Sequence, residues 1–234
     1  MNWLETALAG CTLTDDVRGY LLGRAARPET ISGLGLTTWS CPADPLPSDD
    51  FRSRYGAHGE DLAGHLITPL WSPRGVVLGF EARRIDKKVI SRFLLPEAAW
   101  QPIFFGMKTA MPKLWAGGCV WLVEGQFDQY PLEWVVPTGD AVMGVCRAKL
   151  GDKQVEFLGR FRPPMTNMAL DNDEAGRKGT FGWVDAEGKR HHGALDRLKR
   201  ANLPGQDRPY SGGKDPGVLW DAGGVERLKQ AFGL

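Results

Sequence analysis

Two apolar runs that stop abruptly at acids constrain this chain most. Cys119-Val120-Trp121-Leu122-Val123 ends at Glu124-Gly125-Gln126-Phe127-Asp128, and Met168-Ala169-Leu170 ends at Asp171-Asn172-Asp173-Glu174-Ala175-Gly176. Short runs rich in Val and Trp, without polar alternation, read as strands buried on both faces, as in parallel sheets. Open α/β sheets place their ligands beyond the carboxyl ends of such strands. Asp171 and Asp173 are two apart, so in extended backbone both side chains leave on one face. A third segment, Ser211-Gly212-Gly213-Lys214-Asp215-Pro216, adds another acid and a cation. Carboxylates from separate segments meeting at one rim suit Mg²⁺, which binds through a few carboxylates plus waters and substrate phosphates. The bland alternative is a set of ordinary solvated loop acids.

The rest of the chain reads as elements alternating around these runs. Residues 1 to about 38 are predicted to be helical, with Thr14-Asp15-Asp16 capping one helix and Glu29-Thr30-Ile31 starting another that ends near Gly33. The Pro-, Asp- and Ser-rich stretch Cys41 to Asp50 reads as a loop. His65–Leu70 and Val76–Phe80 flank the turn signal Trp71-Ser72-Pro73-Arg74-Gly75, which predicts a hairpin, and Ile85 to Leu95 continues a small sheet. Farther on, Val135–Gly139, Thr166–Leu170 and Asp207–Tyr210 read as strands. Ala141–Leu150, Val155–Arg162, Glu174–Gly182, Ala194–Ala201 and Gly224–Ala231 read as helices. Strands alternating with helices predict an α/β fold with a Rossmann-like, mostly parallel sheet. His191-His192 reads as an exposed turn in preference to a metal site.

Composition excludes several classes. The 234 residues carry a net charge of +1, so nucleic-acid contact has to come from local basic clusters. No apolar run approaches a membrane span, and the first residues have no basic signal-peptide region, so the expected location is the cytoplasm. Cys11, Cys41, Cys119 and Cys146 are scattered without a C-x-x-C pair, which excludes a zinc ribbon and a disulfide framework.

Taken together, Glu124-Gly125 with Asp128, Asp171-x-Asp173 with Ala175-Gly176, and Gly213-Lys214-Asp215-Pro216 resemble the catalytic signature of Toprim domains. A second resemblance precedes them. Tyr20 to Arg24 with Pro28-Glu29-Thr30-Ile31, His65 to Leu70, Gly75 to Arg83, and Arg92-Phe93-Leu94 with Pro96-Glu97 look like the polymerase lobe of DnaG-type DNA primases. Phe105-Gly106-Met107-Lys108 is a loose match to that family's "HKG" stretch. The chain departs from the pattern at His65, where the family has arginine, and at Gly217, where an acid is common. The resemblance implies an α+β polymerase lobe with its helical segment over residues 1–116 and a metal-binding Toprim domain over 117–234, divided at Gly117-Gly118.

The resemblance also implies a chemistry. A primase core joins nucleotides by attack of a 3′-hydroxyl on an α-phosphorus, with two ions, Mg²⁺ or Mn²⁺, at the acids. Asp171, Asp173 and Asp215 would be metal ligands, with Glu124 a ligand or the general base and Asp128 behind them. Arg83 and Arg92 would take phosphates of NTPs and template, with Arg84, Lys108 and Lys214 further candidates. The implied partners are a single-stranded DNA template, NTPs, and a replicative helicase or separate template-recognition protein. The implied source is a phage or mobile element, and no membrane is involved. A Toprim-type nuclease using the same acids, or a non-catalytic primase-derived nucleic-acid-binding protein, are the alternatives. One local expectation is independent of the family. Pro131 is awkward inside a helix, so Asp128 is expected to cap a helix with Pro131 in its first turn.

Overall fold

The computed structural model describes residues 2–40, 48–87, 89–146 and 149–234. The chain divides into two compact units, Met1–Gln101 and Pro102–Leu234.

The first unit is an antiparallel sheet with helices. Helices α1 (Trp3–Ala9), α2 (Asp15–Gly23) and α3 (Pro28–Leu34) occupy the region expected to be helical. Pro28 stands at the start of α3, and Gly35 ends it with the left-handed backbone (φ 70°) that a side chain disfavours. Strand β1 (Thr37–Thr38) follows. The loop expected over Cys41–Asp50 lies mostly outside the described residues, but its end is helical: Ser48 caps α4 (Asp49–Tyr55) by accepting the Phe51 N–H at 3.3 Å. Strands β2 (Leu66–Trp71), β3 (Val77–Arg83) and β4 (Ile90–Leu94) complete a four-stranded sheet in the order β1-β2-β3-β4. The expected hairpin is β2–β3. Its core is aromatic: Trp39, Phe51, Tyr55, Phe80 and Phe93 are buried together, with Phe51 and Phe93 edge to face at 5.4 Å. Each large apolar side chain so buried contributes about 1.5–3 kcal/mol.

The second unit contains the acids. In chain order it runs α5 (Met107–Trp115), β5 (Val120–Val123), α6 (Gln126–Leu132), β6 (Ala141–Gly144), α7 (Asp152–Phe161), β7 (Thr166–Met168), α8 (Glu174–Phe181), β8 (Gly182–Val184), β9 (Arg190–His192), α9 (Ala194–Arg200), β10 (Gly205–Asp207) and α10 (Pro216–Phe232). Strands β10-β7-β5-β6 form one wholly parallel sheet, and β8–β9 a separate antiparallel ribbon. Trp121, Val123, Val142, Leu219, Leu228 and Phe232 anchor its core. Helix α5 falls within this unit.

Several expected elements differ. The second strand is Ala141–Gly144, not Val135–Gly139, and the helix expected to begin at Ala141 does not begin there. Val135 and Val136 donate to the Leu132 carbonyl in the turn that follows α6, and Pro137 accepts the Asp140 N–H in a second turn. Four buried residues are too few for periodicity to distinguish strand from helix, and pairing with Val120–Val123 decides. Strand β10 ends at Asp207 instead of running to Tyr210, ahead of Pro209, which has no N–H for a ladder. Helix α10 starts at Pro216 and is broken at Gly223–Gly224, so the predicted final helix is only its second half. His191-His192 lies in a strand of the ribbon, not in a turn.

The arrangement expected around Pro131 is also revised. Gly125, not Asp128, is the N-cap of α6, and Asp128 sits in the first turn and reaches back to accept the Gly125 N–H at 3.1 Å. Pro131 does lie inside the helix, which stops one residue later at Leu132, so the missing N–H falls in a segment already ending. The expected commitment of Asp128 to a backbone donor holds, by another route.

Candidate active site

Strands β5 and β7 are hydrogen-bonded neighbours with Leu122 opposite Met168, so both acidic segments leave the same end of the sheet. From β5 the chain moves outward to β6, and it then returns across to β7 on the other side. The acids therefore stand at the crevice where strand order reverses. Glu124 follows β5 directly. Asp171 follows β7, and Asp173 is the N-cap of α8, accepting the Gly176 N–H at 3.0 Å. Asp215 caps α10, accepting the Val218 N–H at 2.7 Å. Two of the acids, Asp173 and Asp215, thus bond to N–H groups in a first helical turn, where the helix dipole favours negative charge.

Gly176 has a specific reason to be glycine. A Cβ there would lie 1.9 Å from the Asp171 carbonyl oxygen, so the start of α8 can fold over the strand end only without a side chain.

Two groups brace the third acidic segment. The Lys214 Nζ lies 3.4 Å from Asp171 Oδ2 and 3.2 Å from Asp173 Oδ2, and both pairings push its pKa up. The Tyr210 hydroxyl is within hydrogen-bond distance of the Leu170 carbonyl at 3.0 Å and the Lys214 carbonyl at 2.9 Å, tying the β7 end to the Lys214-Asp215 loop. Burial pushes the Tyr210 pKa up, so the hydroxyl stays protonated. In the sequence Tyr210 stands only as the last residue of an expected strand, with nothing to mark this role.

The electrostatics are those of acids held together with little solvent. Burial, then the charges of Asp171 and Asp173, pushes Glu124 up to about 7. Burial, then Asp171 and Asp215, pushes Asp128 up to about 8. Asp171 is raised by burial and by Asp215, against the pull of Lys214. Asp173 is held low, first by its bond to the Gly176 N–H. These mutual influences bring Glu124, Asp128, Asp171, Asp173, Asp215 and Lys214 into one site.

Among the described residues, no three His, Cys, Asp or Glu side chains close into a ready-made metal cage. The donors nevertheless fit a hard divalent cation. They are all carboxylate oxygens, and Glu124 Oε1 is buried with no hydrogen-bond partner among the described residues. A buried carboxylate oxygen with no hydrogen-bond partner is a place where a proton or a cation is favoured. Mg²⁺ commonly uses only one or two carboxylates, taking its remaining ligands from water and substrate phosphate.

The other expected residues are placed separately. Arg83 ends β3 in the first unit. Arg92 lies across from Glu81 in the β3–β4 ladder and donates to its carboxylate at 2.7 Å; Glu81 is buried. Arg84 is bidentate to Asp86. Lys108 is exposed on the first turn of α5. No helix among the described residues is long and apolar enough to cross a membrane.

One unit with an antiparallel sheet and one with a parallel sheet bearing a carboxylate rim define a mixed α/β fold. The chain has the fold of DnaG-type primase catalytic cores. The zinc-binding and RNA polymerase domains of the Aquifex aeolicus primase match with a TM-score of 0.66 at 21% identity, over 98% of this chain and 59% of that one. This chain thus spans about three-fifths of that structure. The RNA polymerase domain of Mycobacterium tuberculosis primase DnaG matches with a TM-score of 0.65 at 19% identity, over 98% of this chain and 81% of that one. A DnaG primase catalytic domain bound to ssDNA matches with a TM-score of 0.61 at 17% identity, over 97% and 77%. No protein-family model and no curated protein sequence matches.

Proposed function

We propose that this protein is a DNA primase core that synthesises short RNA primers on a single-stranded DNA template by nucleotidyl transfer. The observation that carries the reading is the carboxylate rim at the β5–β7 crevice within a primase-core fold. Asp171, Asp173 and Asp215 would hold Mg²⁺ or Mn²⁺, with Glu124 contributing its orphaned oxygen. The bound ions supply Lewis-acid stabilisation of the attacking and leaving oxygens. Lys214 keeps the pair Asp171 and Asp173 from repelling one another, and Tyr210 holds Asp215's loop against the strand end. Asp128 fixes the first turn of α6 beneath Glu124. Arg83 and Arg92 take phosphates of NTP or template, Arg92 oriented by Glu81. A replicative helicase or separate template-recognition protein completes template selection.

The test is direct. The pure protein is incubated with single-stranded DNA, labelled NTPs or dNTPs, and Mg²⁺ or Mn²⁺. Oligomers that need template support the reading. Shortened template with no oligomers makes the protein a nuclease instead. Neither product, with DNA still bound, makes it a binding protein.

A further inference from the structure

The charge of this chain is unevenly spread. Residues 177–200 hold seven basic and three acidic side chains, a net +4 against +1 for the whole chain, so the remaining residues sum to −3. The segment is α8 from Arg177 onward, the β8–β9 ribbon and α9. Nothing in the proposed chemistry uses it.

Its shape is specific. A surface concavity of about 600 Å³ is lined by Asn172, Asp173, Glu174, Arg177, Lys178, Phe181 and Gly182, so it begins at an acid of the candidate active site and ends at the base of the ribbon; Lys178 pairs with Glu174 at 2.6 Å, which leaves Arg177 as the cation facing it. Gly182 takes a positive φ of 79°, and a Cβ there would meet the His191 carbonyl oxygen at 2.2 Å, so the ribbon folds directly back from the end of α8. Phe181 is 45% exposed, an aromatic ring left in solvent in the same concavity as Arg177. The ribbon is stiffened from behind. Trp183 stacks on His191 at 4.5 Å, His191 bonds Asp185 at 2.8 Å, and His192 and Arg190 both bond Asp196. The acidic side chains of the segment are largely engaged in that bracing. Lys189, Lys199 and Arg200 are exposed and make no ion pair with a carboxylate among the described residues.

Arg177 in the concavity and Lys189 on the ribbon, with the exposed Phe181 ring between them along the chain, offer what a single strand of nucleic acid requires: its phosphates are neutralised and an unpaired base finds a flat partner. We infer that the concavity along α8, with Phe181 at its end and the Lys189–Arg190 edge of the ribbon beyond, binds a single-stranded phosphodiester chain entering or leaving the carboxylate rim. This deepens the proposed function and rests on it for the identity of the strand, which is template DNA or product RNA.

The experiment is fluorescence anisotropy of the full chain with labelled oligothymidylate and oligouridylate of about a dozen residues, a length within known single-strand site sizes, over a range of KCl. Phe181→Ala is expected to weaken binding about tenfold, and Phe181→Trp to restore it, because base stacking on an aromatic ring is worth about 1–3 kcal/mol. Arg177→Ala with Lys189→Ala is expected to lower the slope of log affinity against log salt by about 1.4, two phosphate contacts at roughly 0.7 each. The oligomer that responds more strongly identifies the strand. Thermal melting checks that the variants fold. Wild-type affinity and slope in all three variants would overturn the inference, as would no binding by the parent chain at about 100 μM, the weak end of non-specific association. Primer synthesis by the parent, measured alongside, separates the two claims. Phe181-dependent binding without primers keeps this surface and removes the polymerase reading; primers with unaltered binding in the variants do the reverse.

Discussion

The Lys214 ammonium sits 3.2 Å from the Asp173 carboxylate and holds it, with Asp171, in a cluster that otherwise has only negative charge. A lysine in that position does what a divalent ion would do, with half the charge and without coordinate bonds. Lys214→Met is therefore expected to destabilise the metal-free protein modestly, because its ammonium is more than half exposed and solvent screens the pair. A loss of about 1 kcal/mol corresponds to roughly 2–4 °C in melting temperature. Added Mg²⁺ should recover it. A variant that melts like the parent in EDTA would show that Lys214 is not the counter-ion.

Asp171→Asn should abolish primer synthesis with the fold intact, since it removes charge from the half-buried acid at the centre of the cluster. Primer assays beside circular dichroism check this. Undiminished synthesis would remove Asp171 from the metal site.

Asp128→Asn should be milder by at least about tenfold in rate, about 1.4 kcal/mol of barrier. At a pKa of about 8 the metal-free Asp128 is mostly protonated at neutral pH, and asparagine reproduces that neutral shape while still accepting the Gly125 N–H. Equal losses in the two variants would make Asp128 a direct participant.

The metal-free protein should lose stability as pH rises. Glu124 and Asp128 bind protons more tightly when folded, at about 7 and about 8, than at their unfolded values near 4.3 and 3.9. Their contribution is present in full below about pH 4 and is lost as pH climbs through 7 and 8. Asp173, held low, titrates below that window. Melting temperature in EDTA should therefore fall between about pH 5 and pH 8.5, and Mg²⁺ should flatten the fall. A melting temperature that rises over that range contradicts the assignment.

Arg92→Ala should cost about 1–3 kcal/mol in urea unfolding, because it removes a charge-assisted hydrogen bond at 2.7 Å from the buried Glu81 carboxylate. Glu81→Gln in that background should return part of the loss. If the double variant is no more stable than Arg92→Ala, the pair is not what holds the β3–β4 ladder.

Much of this was legible in the sequence, and what was hidden has physical reasons. The acids were readable because a strand buried on both faces has a continuous apolar text, and Glu124 and Asp171 end that text abruptly. Ala141–Gly144 was misread because its four residues carry no period, and only their pairing with β5 settles their conformation. Pro131 was readable as a problem but not as a solution, because the tolerance of α6 depends on where the helix stops. The pairing of Arg92 with Glu81 is a register fact, invisible until two strands are aligned. Tyr210 was missed for a similar reason: its hydroxyl works on two carbonyls from different segments.

The order β10-β7-β5-β6 also sets when this site can exist. Its acids come from residues 124 to 215, and β7 gains its outer neighbour only from Gly205–Asp207. During synthesis the ribosome must deliver Asp215 and the start of α10 before Lys214 and Tyr210 can tie the rim together. Until then Glu124 and Asp171 are neighbouring acids without a lid or counter-charge, on a sheet with an open edge. Parallel pairing across such sequence separation is slow to close. The nascent chain should therefore complete its carboxylate rim and its apolar centre together, since both wait for α10 with Leu219, Leu228 and Phe232, and the open β7 edge is the point most exposed to chaperones until then.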